Sequence, residues 1–195
     1  MSDEPVERFR PTSGRITGGI GLAVALAIVV IGIVDRGAIP GPVLTGALVV
    51  GVLVWASTLR PRVSVTEDHL VLRNMLDTVS IPLASIEEIA VRQVLAVRAG
   101  ADRYVSPAVG RSWRQTIKSN KRNTAVPVDA ALASYPDFVE QRIRQRCDDE
   151  RAKRGIQSYS DEQAALAEGV RRQLAWPEIA ALAVATLAFV ISLLV

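Results

Sequence analysis

Glu87 and Glu88 stand side by side in "SIEEIAV", and carboxylates are a residue type that general acid–base catalysis uses. Neighbouring residues of a strand point to opposite faces, so at most one of the two can look into any one site. The chain has one cysteine, Cys147, and one histidine, His69. An intrachain disulfide or a cysteine-based metal cluster needs more than that, and a structural zinc site or a Cys–His nucleophile would lack its partners. Cys147 reads as a core residue on a helix face rather than a redox switch. No nucleophile, base and orienting group come together in the sequence. The expectation is a non-enzymatic protein with no cofactor, no metal and no small-molecule substrate.

The most pointed polar feature is "RSWRQTIKSNKR", residues 111–122, with Arg111, Trp113, Arg114, Lys118, Lys121 and Arg122 and no acid from Tyr104 to Val128. Two readings fit. One is a solvated hairpin tip, the usual fate of a charge run. The other is an anionic-lipid or partner contact, because each basic residue near an anionic leaflet contributes about 1 kcal/mol and Trp113 suits the membrane interface. Nucleic acid is excluded as a partner. The aromatics interleaved in a single-strand platform are missing, and no helix-turn-helix is visible.

Charge is segregated. Residues 16–34, 43–59 and 179–195 carry none, whereas residues 60–172 hold 19 of the 23 Lys/Arg and 15 of the 20 Asp/Glu, a surplus of four. The three uncharged stretches approach the roughly 20 apolar residues needed to cross a bilayer. The first two, joined by "GAIPGP" at 37–42, read as a helical hairpin over 16–59, and the third as a further span over 176–195. The first is too long for a signal peptide, no A-x-A-like site follows it, and a second apolar run comes at once. No ionisable residue interrupts a span, which argues against a proton or ion path.

Arg8, Arg10 and Arg15 precede the first span, Arg60 and Arg62 follow the second, and Arg171 and Arg172 precede the third. All fall on one side if the chain enters, returns and exits. The positive-inside rule then predicts a multi-pass protein of the inner (plasma) membrane, with residues 1–15 as a cytoplasmic tail, 60–175 cytoplasmic and the C-terminus at the outer face. Ala23/Ala27 and Ala181/Ala185 offer small residues at four-residue spacing for close helix approach. In so alanine-rich a chain, chance explains that spacing equally well.

Between the spans, "RVSVTEDHLVLRNML" has the period-two alternation of strands, with Val63 and Val65, then Leu70 and Leu72, on one face. "TVSIPL" follows with Val79 and Ile81, and Pro82 predicts a strand end or an edge. Ile86, Ile89 and Val91, then "VLAVR" and "RYVSPAV" around "AGAD", extend the antiparallel series, which predicts a sandwich or barrel. A closing helix starts near Ser134 and Pro136 with Asp137 three residues after Ser134. It carries the stripe Phe138, Val139, Ile143 and Cys147 and ends at Gly155. Ser160 and Gln163 resemble a second capping box, so 157–175 reads as a juxtamembrane helix with Leu166, Val170 and Leu174 on one face.

Two adjacent spans followed by "RPRVSVTEDHLVLRNMLDTVSIPLASIEEIAV" resemble the bacterial pleckstrin-homology-like (PH-like) membrane proteins of actinobacterial type, the low-molecular-weight protein antigen group. The likeness covers residues 60–115 and, loosely, the closing helix. It implies an α+β membrane protein in which residues 60–156 form a PH-like antiparallel β-barrel or sandwich of seven strands capped by a C-terminal helix, with no established activity. The span at 176–195 goes beyond the simplest family layout. In eukaryotic PH domains a phosphoinositide site would fall at the first strand turn, where this chain has Glu67, Asp68 and His69. A domain of this kind implies contact with membrane lipids and with another membrane protein or a second copy, with peptides docked along a strand edge or a helix groove.

Overall fold

A computed structural model describes residues 7–9, 14–35, 37–110 and 135–194, which divide into two compact units. The helical unit contains α1 (Arg15–Val34), α2 (Gly41–Val54) and the last helix, Trp176–Leu194. Each supplies a 19-residue stretch long and apolar enough to cross a membrane: Ile16–Val34, Gly41–Leu59 and Trp176–Leu194. Pro40 caps α2 and Pro42 sits in its first turn, where a missing N–H costs nothing. The helix continues into a π-turn, Trp55–Leu59. There Ser57 Oγ donates to the Leu53 carbonyl at 2.7 Å and Thr58 Oγ1 to that of Val54 at 2.6 Å. Such back-bonding satisfies hydroxyls in apolar surroundings and accompanies local distortion of a helix.

Helix α2 packs against both of the others. The small residues that permit this are not Ala23 and Ala27, which are exposed, nor Ala181. On α1, Gly18 faces Thr58, Gly21 faces Val54, Ala25 faces Gly51 and Gly32 faces Leu44. On the other side Gly46 meets Phe189, Thr45 Oγ1 and Ser192 Oγ share a 2.7 Å hydrogen bond, and Ala185 is buried. Small residues at the contact let the helices approach closely, and the side-chain hydrogen bond adds a polar link between them.

The second unit is built from β1 (Glu7–Phe9), β2 (Arg62–Val65), β3 (His69–Arg73), β4 (Asp77–Pro82), β5 (Ile86–Val91), β6 (Leu95–Ala99), β7 (Asp102–Ser106), α3 (Tyr135–Arg154), the short α4 (Asp161–Ala165) and β8 (Arg171–Leu174); the helix Trp176–Leu194 is α5. The strands form two antiparallel sheets, β1-β2-β3-β4-β8 and β5-β6-β7. They do not close into a barrel, so the barrel expectation is not supported, and residues 60–156 hold six described strands, β2 to β7, where the resemblance implies seven. Val63, Val65, Leu70, Leu72, Val79 and Ile81 from the first sheet and Ile86, Ile89, Val91, Leu95 and Val97 from the second bury their side chains together with Val139, Ile143 and Cys147 of α3. The β6–β7 hairpin turns on two residues, and Gly100 takes the left-handed conformation (φ +58) that such a tight turn needs.

Three expectations need correction. Residues 1–15 are not simply a tail: Glu7–Phe9 pairs antiparallel with β2, Phe9 opposite Val63, and Phe9 joins the core. A three-residue strand is too short to show in a sequence pattern. Residues 157–175 are not one helix. Ser160 does cap α4, its Oγ accepting from Gln163 N at 3.2 Å. The helix stops after five residues, passes through a 3-10 turn at Leu166–Gly169, and "RRQL" becomes β8 beside β4. An unpaired β4 edge would leave backbone groups without partners, and this segment supplies them. Finally, Phe138 lies off the buried stripe of α3, which runs Pro136, Val139, Ile143, Cys147, Glu150. Phe138 is 53% exposed and stacks on Tyr135. Ser134, half of the expected cap, lies outside the described residues.

Candidate functional site

A strand edge with unpaired backbone groups can take up an extended peptide. Strand β5 is an edge of its sheet. Several of its outward backbone groups are taken by side chains of α3 and the segment after it. Glu140 Oε2 accepts from Val91 N at 2.9 Å, and Arg144 Nη2 donates to Ile89 O at 3.2 Å. Arg151 Nη1 and Gln163 Nε2 both donate to Ile86 O, at 2.9 and 3.0 Å, and Tyr159 OH reaches Glu87 O at 3.5 Å. These groups stand where a neighbouring strand's N–H and C=O would be. The edge is therefore strapped, and a peptide could add to it only by displacing α3 side chains. Glu140 also pairs with Arg144 at 3.0 Å, and Arg151 with Asp148, so the strap is held in place by its own ion pairs.

The Glu87–Glu88 pair departs from the simple alternation rule. A register shift between Ile86 and Glu88 lets both carboxylates reach Arg98 Nη2, at 3.1 and 3.2 Å. A bulge places two residues against one on the partner strand and re-aims their side chains. The result is a carboxylate–guanidinium cluster across β5 and β6. Other acids are engaged in the same way. Glu150 accepts from Arg154 Nε at 2.8 Å and lies 3.5 Å from Lys153 Nζ.

Glu7 accepts from Arg142 Nη2 at 2.6 Å and lies 3.6 Å from Arg146 Nε, which ties β1 to α3. The hydrogen bond from Arg142 holds the Glu7 carboxyl below the ordinary glutamate range. At the β2–β3 turn, Asp68 Oδ1 and His69 Nδ1 lie 2.7 Å apart, and that hydrogen bond lowers the Asp68 pKa. The only histidine is thus tied up by its neighbour. Cys147 is buried in the α3 stripe, and burial pushes its thiol up to about 12, far from the thiolate that nucleophilic or redox chemistry requires. Among the described residues no cluster of His, Cys, Asp and Glu could hold a metal ion. Arg111, Trp113, Arg114, Lys118, Lys121 and Arg122, the candidate lipid or partner contacts, all lie outside the described residues.

No family model, curated protein or solved structure matches the chain. The reading of its function therefore rests on its own geometry.

Within the helical unit one polar cluster stands out. Arg60, just past the π-turn, donates from Nε to Glu178 Oε1 at 2.6 Å and from Nη1 to the Asp77 carbonyl at 3.2 Å. The two side chains are only 8% and 15% exposed. Glu178 sits in the first turn of α5, where a negative charge favours the helix dipole. Ala175 N donates to Leu76 O at 2.8 Å beside it. The end of α2, the start of α5 and the Met75–Asp77 turn are thereby fastened at one point. The sequence shows Arg60 and Glu178 only as flanking charges 118 residues apart; that they are each other's partner is not legible in it.

Proposed function

We propose that this chain is a non-enzymatic integral membrane protein whose PH-like domain, on the cytoplasmic side, is a protein-interaction module or an accessory subunit of a membrane assembly. The observation that carries the reading is the union of three span-length apolar helices with a folded two-sheet domain whose conspicuous acids and bases hold strands and helix together. The PH-like reading is carried by the resemblance of the 60–115 stretch; residues 60–156 contribute six described strands, β2 to β7, and α3, and β1 joins from residues 7–9. Here the apolar hairpin α1–α2 is inserted between the first strand and the second. The partner is another membrane protein or a second copy of the chain. With β5 strapped, candidate surfaces among the described residues include the outer edge of β7, where Val105 is 49% exposed, and the exposed Phe138 of α3.

The test is photo-crosslinking of the full chain in native membranes with a reactive residue at Val105 or Phe138. A discrete adduct of fixed mass at either position supports the reading. A chain that stays monomeric at both contradicts it. A second reading is contact with anionic lipid, expected at the basic run 111–122, which lies outside the described residues; the exposed, directly opposed Arg62 and Arg73 favour it independently.

A further inference from the structure

Arg62 and Arg73 are direct partners across the β2–β3 ladder, and both are exposed. Like charges directly opposite each other on adjacent strands destabilise a sheet. Neither makes an ion pair with a described residue. The rest of that sheet face gives no relief. Alternation puts Arg8, Ser64 and Ser80 on it through the register Arg8↔Ser64↔Val71↔Ser80, and Thr78 stands opposite Arg73. The face is basic and hydroxyl-rich, and the strand residues of β1 to β4 on it include no carboxylate.

Its position along the chain is as informative as its charge. Arg62 is three residues beyond Leu59, the end of the second span-length stretch. Three residues of extended chain reach at most about 11 Å, whatever the orientation of the sheet. If Leu59 ends in the membrane, the Arg62–Arg73 end of the sheet is held within reach of the headgroup layer, which is roughly 5–7 Å deep on each side of the hydrocarbon. Phe9, opposite Val63 at the same end of the sheet, leads into α1 within six residues.

We propose that Arg62 and Arg73, with Thr78 beside them, form a binding site for the phosphate of an anionic phospholipid headgroup. Two guanidinium groups offer forked donors that match phosphate oxygens, and the bound anion removes the repulsion that the empty pair carries. The site is separate from the 111–122 run. It rests on the reading of the apolar helices as membrane spans, and its test can fail independently of that reading.

The full chain is incorporated into nanodiscs of phosphatidylcholine with or without phosphatidylglycerol, extracted in mild detergent, and its retained lipids are counted by native mass spectrometry. The wild type is expected to retain phosphatidylglycerol in preference to phosphatidylcholine. Arg62→Gln with Arg73→Gln should lower that preference by up to roughly 25-fold, from two contributions of about fivefold each. A double Lys variant should keep much of it, and Arg92→Gln with Arg103→Gln, which removes two exposed arginines elsewhere on the domain, should leave it unchanged. Phosphatidylglycerol should also raise the melting temperature of the wild type but not of the Gln double variant, which in phosphatidylcholine alone melts no lower than wild type. Equal losses in the two Gln double variants, or no loss in either, overturn the site while leaving the spans intact. Displacement of the lipid by inorganic phosphate alone overturns the lipid assignment in favour of a free anion. A chain that does not enter nanodiscs at all fails at the earlier step, the membrane reading.

Discussion

Arg60→Ala is expected to destabilise the helical unit by about 3–5 kcal/mol, because it leaves the Glu178 carboxylate enclosed without its counter-charge. The loss has two parts. The guanidinium holds Glu178 at 2.6 Å and the Asp77 carbonyl at 3.2 Å, so its removal deprives both acceptors of a donor in a place with little water. The effect should be asymmetric. Replacing both partners by apolar residues of similar volume, Arg60→Met with Glu178→Leu, should restore most of the stability, because a buried pair offsets little beyond its own desolvation. Thermal unfolding of the full chain in detergent, followed by circular dichroism, distinguishes the three proteins. Equal melting temperatures for wild type and Arg60→Ala would show that the pair is solvated and carries no structural weight.

Gly18→Ala is expected to cost about 1–3 kcal/mol, the range for overpacking a fitted interface. An added Cβ would overlap Thr58 Oγ1 and come within 2.7 Å of the Thr58 Cβ. Thr58 cannot simply turn away, because its hydroxyl is bonded to the Val54 carbonyl within the π-turn. Helices α1 and α2 must therefore shift locally where Gly18 faces Thr58. Combining Gly18→Ala with Thr58→Ala removes the opposing group, and the pair should be less destabilised than the sum of the single changes. The same melting assay reads this out. Strict additivity would mean that Gly18 and Thr58 do not touch.

Much of the fold is written locally. The alternation at Val63/Val65, Leu70/Leu72 and Val79/Ile81 places those residues in the core as read, and the uncharged runs become helices with bounds that move by three residues or fewer at either end. What escapes the sequence is set by long-range partners. Glu7–Phe9 is a strand only because β2 offers it an edge, and "RRQL" is a strand only because β4 does. The strap on β5 depends on which carbonyl each α3 side chain can reach, and no periodicity encodes that. The close contact of α1 and α2 had a signal that an alanine search passes over: Gly18, Gly21, Ala25 and Gly32 are spaced by three, four and seven residues, as the facing side of a helix requires. The Arg62–Arg73 pair is half visible, since both arginines stand in the strand–turn–strand stretch "RVSVTEDHLVLRNML", but their opposition needs the register.

The central claim is that α1, α2 and α5 lie in a bilayer with the two-sheet domain on one side and the α1–α2 connection on the other. Single cysteines at Ala38, between α1 and α2, and at Glu67, in the β2–β3 turn, test it most directly, since both positions are exposed and native Cys147 is buried. In sealed inside-out vesicles, a membrane-impermeant maleimide is predicted to label Glu67→Cys and to label Ala38→Cys only after the membrane is opened. Labelling of both from the same side of a sealed membrane would contradict the account.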